Sequence, residues 1–175
     1  MSNLFMRRSA VISDCKDYRP ELRRIWDDRL QLLVVCMLNP SRADDQKEDP
    51  TLLTLIHFAR FWGYGGLLVV NLYSFRSSSP KEMFAAGERA IGPEDEFYIA
   101  AAVGYALENG GRLLVAWGND GGDRARHVAA NIESRGVSMI CLGTTQSGAP
   151  KHPMARGLHR VPRDQMPIEW KVPSA

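Results

Sequence analysis

Four mostly apolar segments constrain the fold of this 175-residue chain more than any other feature of its sequence. They span residues 32–38, 67–73, 112–117 and 137–142. Segments that are apolar at nearly every position are typical of strands buried on both faces, as in parallel sheets. Helical patterns lie between them, so strands and helices alternate along the chain. We therefore expect an α/β fold, a three-layer α/β/α sandwich around a mostly parallel sheet of about four strands.

Capping residues mark where the helices begin. Asp49-Pro50-Thr51 and Ser79-Pro80 each place a capping side chain before a proline in the first helical turn. The first of these helices is expected to end at Gly63. Two further helices are predicted over residues 92–109 and 122–134.

The N-terminal part of the chain predicts an antiparallel hairpin. Residues 9–15 and 21–26 are weak strand patterns on either side of the turn at residues 18–20. We expect this hairpin at the edge of the sheet. The length predicts a single domain over residues 1–175, with its core at about 9–155 and a basic, proline-rich tail over 156–175.

Composition excludes several classes of protein. The net charge of +2 provides no strong field towards nucleic acid or membranes, and no apolar segment reaches the length of a membrane span. The N-terminus lacks the apolar core of a signal peptide. Cys15, Cys36 and Cys141 are dispersed, without the spacing of a metal site. We expect a cytoplasmic protein with no membrane partner, no disulfide, no metal and no cofactor.

Polar and aromatic residues lie at the carboxyl ends of three of the apolar segments, where each predicted strand ends. They are Asn39-Pro40-Ser41, Asn71 with Tyr73, and Trp117-Gly118-Asn119. Asn and Pro are ordinary turn residues, so each motif alone predicts only a turn. In open α/β sheets, however, ligands bind outside the carboxyl ends of the parallel strands. Asn39 and Asn71 at equivalent strand ends therefore favour a binding site.

Two other segments carry weaker signals. His152 lies in the stiff loop Gly148-Ala149-Pro150-Lys151-His152-Pro153, which can hold an imidazole in one direction, although a lone loop histidine is usually just exposed. The glycine-rich turn at residues 117–122 can present backbone N–H groups to an anion, but it matches neither a dinucleotide fingerprint nor a P-loop. The basic tail is either a solvated surface or a phosphate contact.

An acidic segment offers a metal as an alternative. Asp44, Asp45, Glu48 and Asp49, with His57, include the oxygen ligands that hard cations prefer. No recognised ligand spacing is present, and acidic residues before a helix also complement its dipole. Metal-dependent hydrolysis at residues 44–49 is therefore the least favoured alternative.

The joint pattern of these motifs resembles an uncharacterised bacterial and phage family, domain of unknown function 1643. The resemblance covers about residues 10–155, and its motifs carry no established activity. The matching segments are Met37-Leu38-Asn39-Pro40-Ser41, Asp49-Pro50-Thr51, Gly63-Tyr64-Gly65, Val70-Asn71-Leu72, Ala116-Trp117-Gly118 and residues 148–153.

A more distant resemblance is to the uracil-DNA glycosylase superfamily. Residues 37–41 are similar to its first motif, in which Asn-Pro follows a buried strand, and residues 69–76 are similar to a strand that ends in Asn and is followed by Arg. His152-Pro153 falls where the superfamily has its last motif. Ser41 stands where the mismatch-specific branch has glycine, and Met154 where the last motif has serine.

This resemblance implies roles for individual residues. Asn39 would hold the water that attacks the sugar carbon, Asn71 would bind the edge of an extruded base, and His152 would donate to the base oxygen that gains charge. Asn39 and His152 are thus the candidate catalytic residues. The candidate ligand-binding residues are Pro40, Ser41, Asn71, Tyr73, Arg76, Trp117, Gly118, Asn119, Lys151 and Pro153.

Two classes of function follow. The first is a pocket for a nucleobase, nucleotide or nucleic acid such as DNA, with cleavage of an N-glycosidic bond as its enzymatic form. The second is a binding module on the same fold that does not catalyse a reaction. Affinity for DNA that falls with salt would favour the nucleic-acid interpretations.

Overall fold

The structure is a computed structural model, and it describes residues 6–41 and 48–173. Its strands are β1 (Arg7–Val11), β2 (Glu21–Ile25), β3 (Leu32–Met37), β4 (Gly66–Asn71), β5 (Arg112–Val115), β6 (Ser138–Cys141) and β7 (Ile168–Glu169). Its α-helices are α1 (Pro50–Phe61), α2 (Pro80–Ala85), α3 (Asp95–Glu108) and α4 (Gly122–Ser134). The strands form one seven-stranded mixed sheet in the order β1-β2-β4-β3-β5-β6-β7.

The centre of the sheet is parallel. Strand β3 pairs in parallel with β4 and β5, and β5 pairs in parallel with β6. Met37 lies opposite Asn71, and Cys36 lies opposite Val115, so the carboxyl ends of these strands meet at one edge. The predicted α/β fold with four parallel strands is confirmed.

The N-terminal hairpin is also present. Strands β1 and β2 pair in antiparallel fashion, and β2 continues the sheet by pairing in antiparallel fashion with β4. Because β2 runs against β4, the residues just before β2 lie beside the carboxyl end of β4. This placement brings Arg19 to the same edge as the ends of the parallel strands.

The segment expected to be a tail belongs to the sheet. Strand β7 pairs in antiparallel fashion with β6, and the Trp170 ring packs edge-on against Trp117 at 5.5 Å between centroids. Trp170 Nε1 also donates to Gly148 O at 2.9 Å. A two-residue strand and one tryptophan have no periodicity, so the sequence pattern did not reveal them.

Alternate side chains of the parallel strands enter two separate cores. Val35 packs with α1 residues such as Leu55 and Phe58 on one face of the sheet. Cys36 packs with residues of α3 and α4, such as Val103 and Ile132, on the other face. Burial of side chains of this size contributes about 1.5–3 kcal/mol each.

The helix starts follow the predicted capping. The Asp49 side chain accepts from Leu52 N, and the Ser79 side chain accepts from Glu82 N. Pro50 and Pro80 occupy the first turns of α1 and α2. None of the described helices is both long and apolar enough to cross a membrane.

Candidate ligand-binding site

A cavity of about 820 Å³ opens at the carboxyl edge of the parallel strands. The cavity lies on the face of the sheet that is covered by α1. Met37 and Val69, which belong to the core on that face, line it together with Leu52 and Leu55 of α1. Pockets that hold small molecules typically measure about 300–1,000 Å³. The cavity is therefore large enough for a ligand with several functional groups.

Eight of the predicted site residues line this cavity. They are Asn39, Pro40, Ser41, Asn71, Trp117, Gly118, Asn119 and His152. Three strand ends and the loop after β6 contribute them. The two predicted catalytic residues and the asparagine predicted to bind a base thus share one space, and the role of each stays a prediction.

Four predicted ligand-binding residues do not line the cavity. The Tyr73 ring packs against Phe84 at 5.9 Å between centroids, and Pro153 is buried. The aliphatic part of Lys151 lies against Gly143. Arg76 donates from Nη1 to Lys16 O at 3.0 Å, behind the cavity wall.

Asn71 is the most distinctive residue of the wall. It is the last residue of β4, and only 6% of it is exposed. Within the described part of the chain its side chain makes no hydrogen bond, although an amide offers two N–H donors and an acceptor oxygen. Buried polar groups nearly always have a partner. The amide of Asn71 is thus left for something that enters the cavity.

Asn39 is held more firmly. Its Nδ2 donates to Ser77 Oγ at 2.9 Å and to Pro40 O at 3.2 Å. Because Pro40 O can only accept, this contact defines which end of the amide carries the NH₂ group. The Asn39 Oδ1 atom is consequently the end that remains to accept from a ligand or a water molecule.

His152 is held as a neutral imidazole. Its Nδ1 accepts from Met154 N at 3.0 Å, so the proton of the neutral ring is on Nε2. Burial lowers the pKa of His152, and the nearby Asp49 carboxylate partly opposes this shift. The ring therefore offers an Nε2–H donor to the cavity without a positive charge.

Asp49 adds a carboxylate to the same wall. Its two oxygens accept from Leu52 N at 2.7 Å and from Ser41 Oγ at 2.9 Å. It acts electrostatically on both His152 and Arg19. The predicted capping role is thus correct, and the position in the cavity is an addition to it.

Asn119 is an amide of the same cavity whose oxygen is already occupied. Its Oδ1 accepts from Thr145 Oγ1 at 2.7 Å and from Ser147 Oγ at 2.9 Å. Gly118, with a φ of +74°, lets the chain turn there and donates from its N to Pro150 O at 2.9 Å. These bonds tie the loop after β6 to the end of β5, and they position His152.

Sequence analysis missed Arg19 as a site residue. It lines the cavity with 7% of its surface exposed, and its N donates to Ser74 O at 2.9 Å. Burial, together with Arg76, lowers the pKa of Arg19 to about 10, while Asp49 acts in the opposite direction. The sequence signal that could have indicated Arg19 is its position just before a strand that was expected to be antiparallel.

The metal alternative finds no support in residues 6–41 and 48–173, where no three His, Cys, Asp or Glu side chains form a group that could hold an ion. Glu48 accepts from Arg8 and Arg24, and Asp49 caps α1. Asp44 and Asp45 lie outside the described residues. The three cysteines are free thiols, of which Cys36 and Cys141 are buried.

Comparison with known proteins identified one family. The sequence profile of a family described as "Protein of unknown function (DUF1643)" matches residues 19–154. No curated protein and no solved structure matched the chain. The resemblance to the uracil-DNA glycosylase superfamily gains no support from these comparisons and stays a prediction.

Proposed function

Because the chain belongs to the DUF1643 family, whose description assigns no activity, we propose from the cavity itself that the protein binds a nucleobase or nucleotide at the carboxyl edge of its sheet. The observation that carries this proposal is the Asn71 amide, buried in the cavity wall without a hydrogen bond to any described residue. An amide with an adjacent donor and acceptor matches the edge of a base, which also presents both.

The rest of the wall suits the same class of ligand. The buried indole of Trp117 and the side chains of Leu52 and Leu55 provide apolar surface for a planar ring. The His152 Nε2–H is a neutral donor that can bind a base oxygen. Apolar walls with a few convergent polar groups are the usual composition of a small-molecule pocket.

Calorimetric titration with free bases and nucleosides tests this proposal. Asn71→Ala is expected to weaken binding of the preferred base about tenfold to hundredfold, because the hydrogen-bonding groups on the edge of the base would be left unpaired. Asn71→Asp keeps the shape but removes the N–H donors, so it is expected to change which base is preferred. If no base or nucleoside binds, or if both variants bind as the unmodified protein does, the proposal is wrong.

Cleavage of an N-glycosidic bond is a second candidate function. The observation in its favour is that Asn39, Asp49 and His152 line the cavity together. Asn39 Oδ1 would orient a water molecule, and Asp49 would take the proton that the water loses as it bonds to the sugar carbon. The bond to the base would break with its electron pair going to the base, and His152 would donate to the base oxygen that gains charge.

An oligonucleotide assay separates catalysis from binding. Single- and double-stranded oligonucleotides that carry uracil, hypoxanthine, xanthine or mismatched thymine would be assayed for abasic sites. Catalysis predicts abasic sites that Asn39→Ala abolishes, and His152→Ala is expected to slow the reaction by roughly 100-fold or more. If no oligonucleotide of the panel is cleaved but the protein still binds bases, a binding module that does not catalyse a reaction is favoured.

A further inference from the structure

Arg19 lies at the cavity for a topological reason. It precedes β2, which runs antiparallel to β4, so its backbone meets the chain just beyond the carboxyl end of β4 at Ser74. Asn71 is the last residue of that same strand. Arg19 and Asn71 are each less than one-tenth exposed, and both line the cavity.

Several charged side chains surround Arg19 at this part of the wall. Of the described charges that act most strongly on Arg19, two are the guanidinium groups of Arg76 and Arg24, and one is the Asp49 carboxylate. Arg24 is fully buried and shares Glu48 with Arg8. Like charges in a medium of low dielectric constant repel strongly. A negative charge beside the Arg19 guanidinium stabilises its charged form, as the opposing effect of Asp49 on the pKa of Arg19 illustrates.

We infer that the ligand carries a phosphate group, that Arg19 binds this group, and that Asn71 binds the base of the same molecule. This inference rests on the proposed nucleobase pocket and specifies its substrate class as phosphorylated. The planar guanidinium presents paired N–H donors that match two phosphate oxygens. The cavity of about 820 Å³ lies in the upper part of the range for small-molecule pockets, which suits a base with its sugar and phosphate.

The test compares matched ligands on the full chain by calorimetric titration. Each nucleoside is measured beside its own 5′-monophosphate, and a short single-stranded oligonucleotide shows whether a phosphodiester serves as well as a monoester. The monophosphate is expected to bind about tenfold to hundredfold more tightly than its nucleoside. Arg19→Gln is expected to reduce this ratio to less than about threefold while the nucleoside affinity stays nearly unchanged.

Arg126→Gln is the matched control variant. Arg126 is exposed on α4, pairs with Asp123, and does not line the cavity. Arg126→Gln removes one positive charge, as Arg19→Gln does. The ratio of monophosphate affinity to nucleoside affinity should nevertheless stay as in the unmodified protein. An equal loss in both variants would show that net charge, and not Arg19, produces the preference, and it would overturn the inference.

Competition in the unmodified protein keeps the test decisive if Arg19→Gln does not fold. Inorganic phosphate at millimolar concentration should weaken binding of the monophosphate and leave the nucleoside affinity unchanged. Equal affinity of nucleoside and monophosphate would overturn the phosphate inference while the base pocket stands. No binding of any of these ligands would overturn the proposed function itself.

Discussion

Asn71 and Asp95 are buried polar residues near the carboxyl end of β4, on opposite faces of the sheet, and their side chains differ in their hydrogen bonding. Asp95 is 2% exposed, and its Oδ2 accepts from Gly92 N at 2.8 Å and from Ser74 N at 3.1 Å. Asn71 is about as deeply buried, but its side chain makes no hydrogen bond within the described part of the chain. Asp95 finds partners in the chain that follows β4, while Asn71, at the end of β4, faces the cavity.

This difference separates a structural polar group from a functional one. The Asp95 carboxylate holds the turn after β4 against the start of α3, and a side chain at Gly92 would collide with it and with Ser74 Oγ. Burial raises the pKa of Asp95, although hydrogen bonds from Ser74 and Gly92 oppose this shift. Asp95 has one oxygen bonded and one, Oδ1, without a partner among the described residues, whereas both ends of the Asn71 amide are left for a partner that enters the cavity.

The largest expected effect is on stability. Asp95→Ala leaves the backbone N–H groups of Ser74 and Gly92 buried without their acceptor, which is expected to cost on the order of 3 kcal/mol of unfolding free energy. Urea denaturation of the variant measures this loss. Affinity for the preferred base at a temperature where the variant is folded should change little. A loss of unfolding free energy below about 1 kcal/mol would show that Asp95 does not stabilise the fold more than Asn71 does.

Asn71→Ala is the reciprocal variant. It removes no hydrogen bond to a described residue, so the unfolding free energy should change by less than about 1 kcal/mol. The affinity for the ligand should nevertheless fall about tenfold to hundredfold, as proposed above. Denaturation and titration of the same sample check both parts. A variant that loses stability and affinity together would make Asn71 a structural residue like Asp95.

Asn119→Ala sharpens the comparison within the cavity. The Asn119 oxygen already accepts from Thr145 and Ser147, so this amide is expected to organise a loop instead of binding the ligand directly. We expect less than about a threefold change in affinity and less than about 1 kcal/mol in unfolding free energy, because this loop is exposed. If Asn119→Ala weakened ligand binding as much as Asn71→Ala does, the absence of a side-chain hydrogen bond would not identify the amide that binds the ligand.

The smallest expected effect appears only in the pH dependence of stability. Burial lowers the pKa of His152 below its ordinary value of 6.5, so the unfolded chain binds this proton more tightly than the folded chain. The contribution to stability is fully present above pH 6.5 and is lost as the pH falls from 6.5 towards the lowered pKa. His152→Gln should therefore reduce the loss of unfolding free energy between pH 7.5 and 5.5. An unchanged pH profile would contradict a neutral, partly buried imidazole whose pKa is lowered in the folded chain.

The parallel core of the fold was predictable because one physical pattern repeats. Strands that are buried on both faces are apolar at nearly every position, and Asp49 and Ser79 cap helices by a strictly local rule. The same logic brought Asn39 and Asn71 to one edge, since parallel strands end together. Strand β7 was not predictable, because two residues show no periodicity and their pairing with β6 is a long-range contact.

The site was harder to predict because its remaining parts depend on direction and on long-range contacts. Arg19 lies before a strand, and it reaches the cavity only because β2 is antiparallel to β4. Tyr73 and Arg76 follow Asn71 closely in sequence, but the chain turns after β4 and carries them away from the cavity. Hydrogen bonding decides which polar residues are already satisfied, and sequence spacing contains no information about it.

A crystal structure of the protein with its preferred nucleoside monophosphate tests the central claim most directly. We expect the base in the cavity with its edge about 2.7–3.2 Å from the Asn71 amide, and the phosphate at a similar distance from the Arg19 guanidinium. A ligand bound elsewhere, or an Asn71 amide bonded to the protein's own chain while the ligand occupies the cavity, would contradict it.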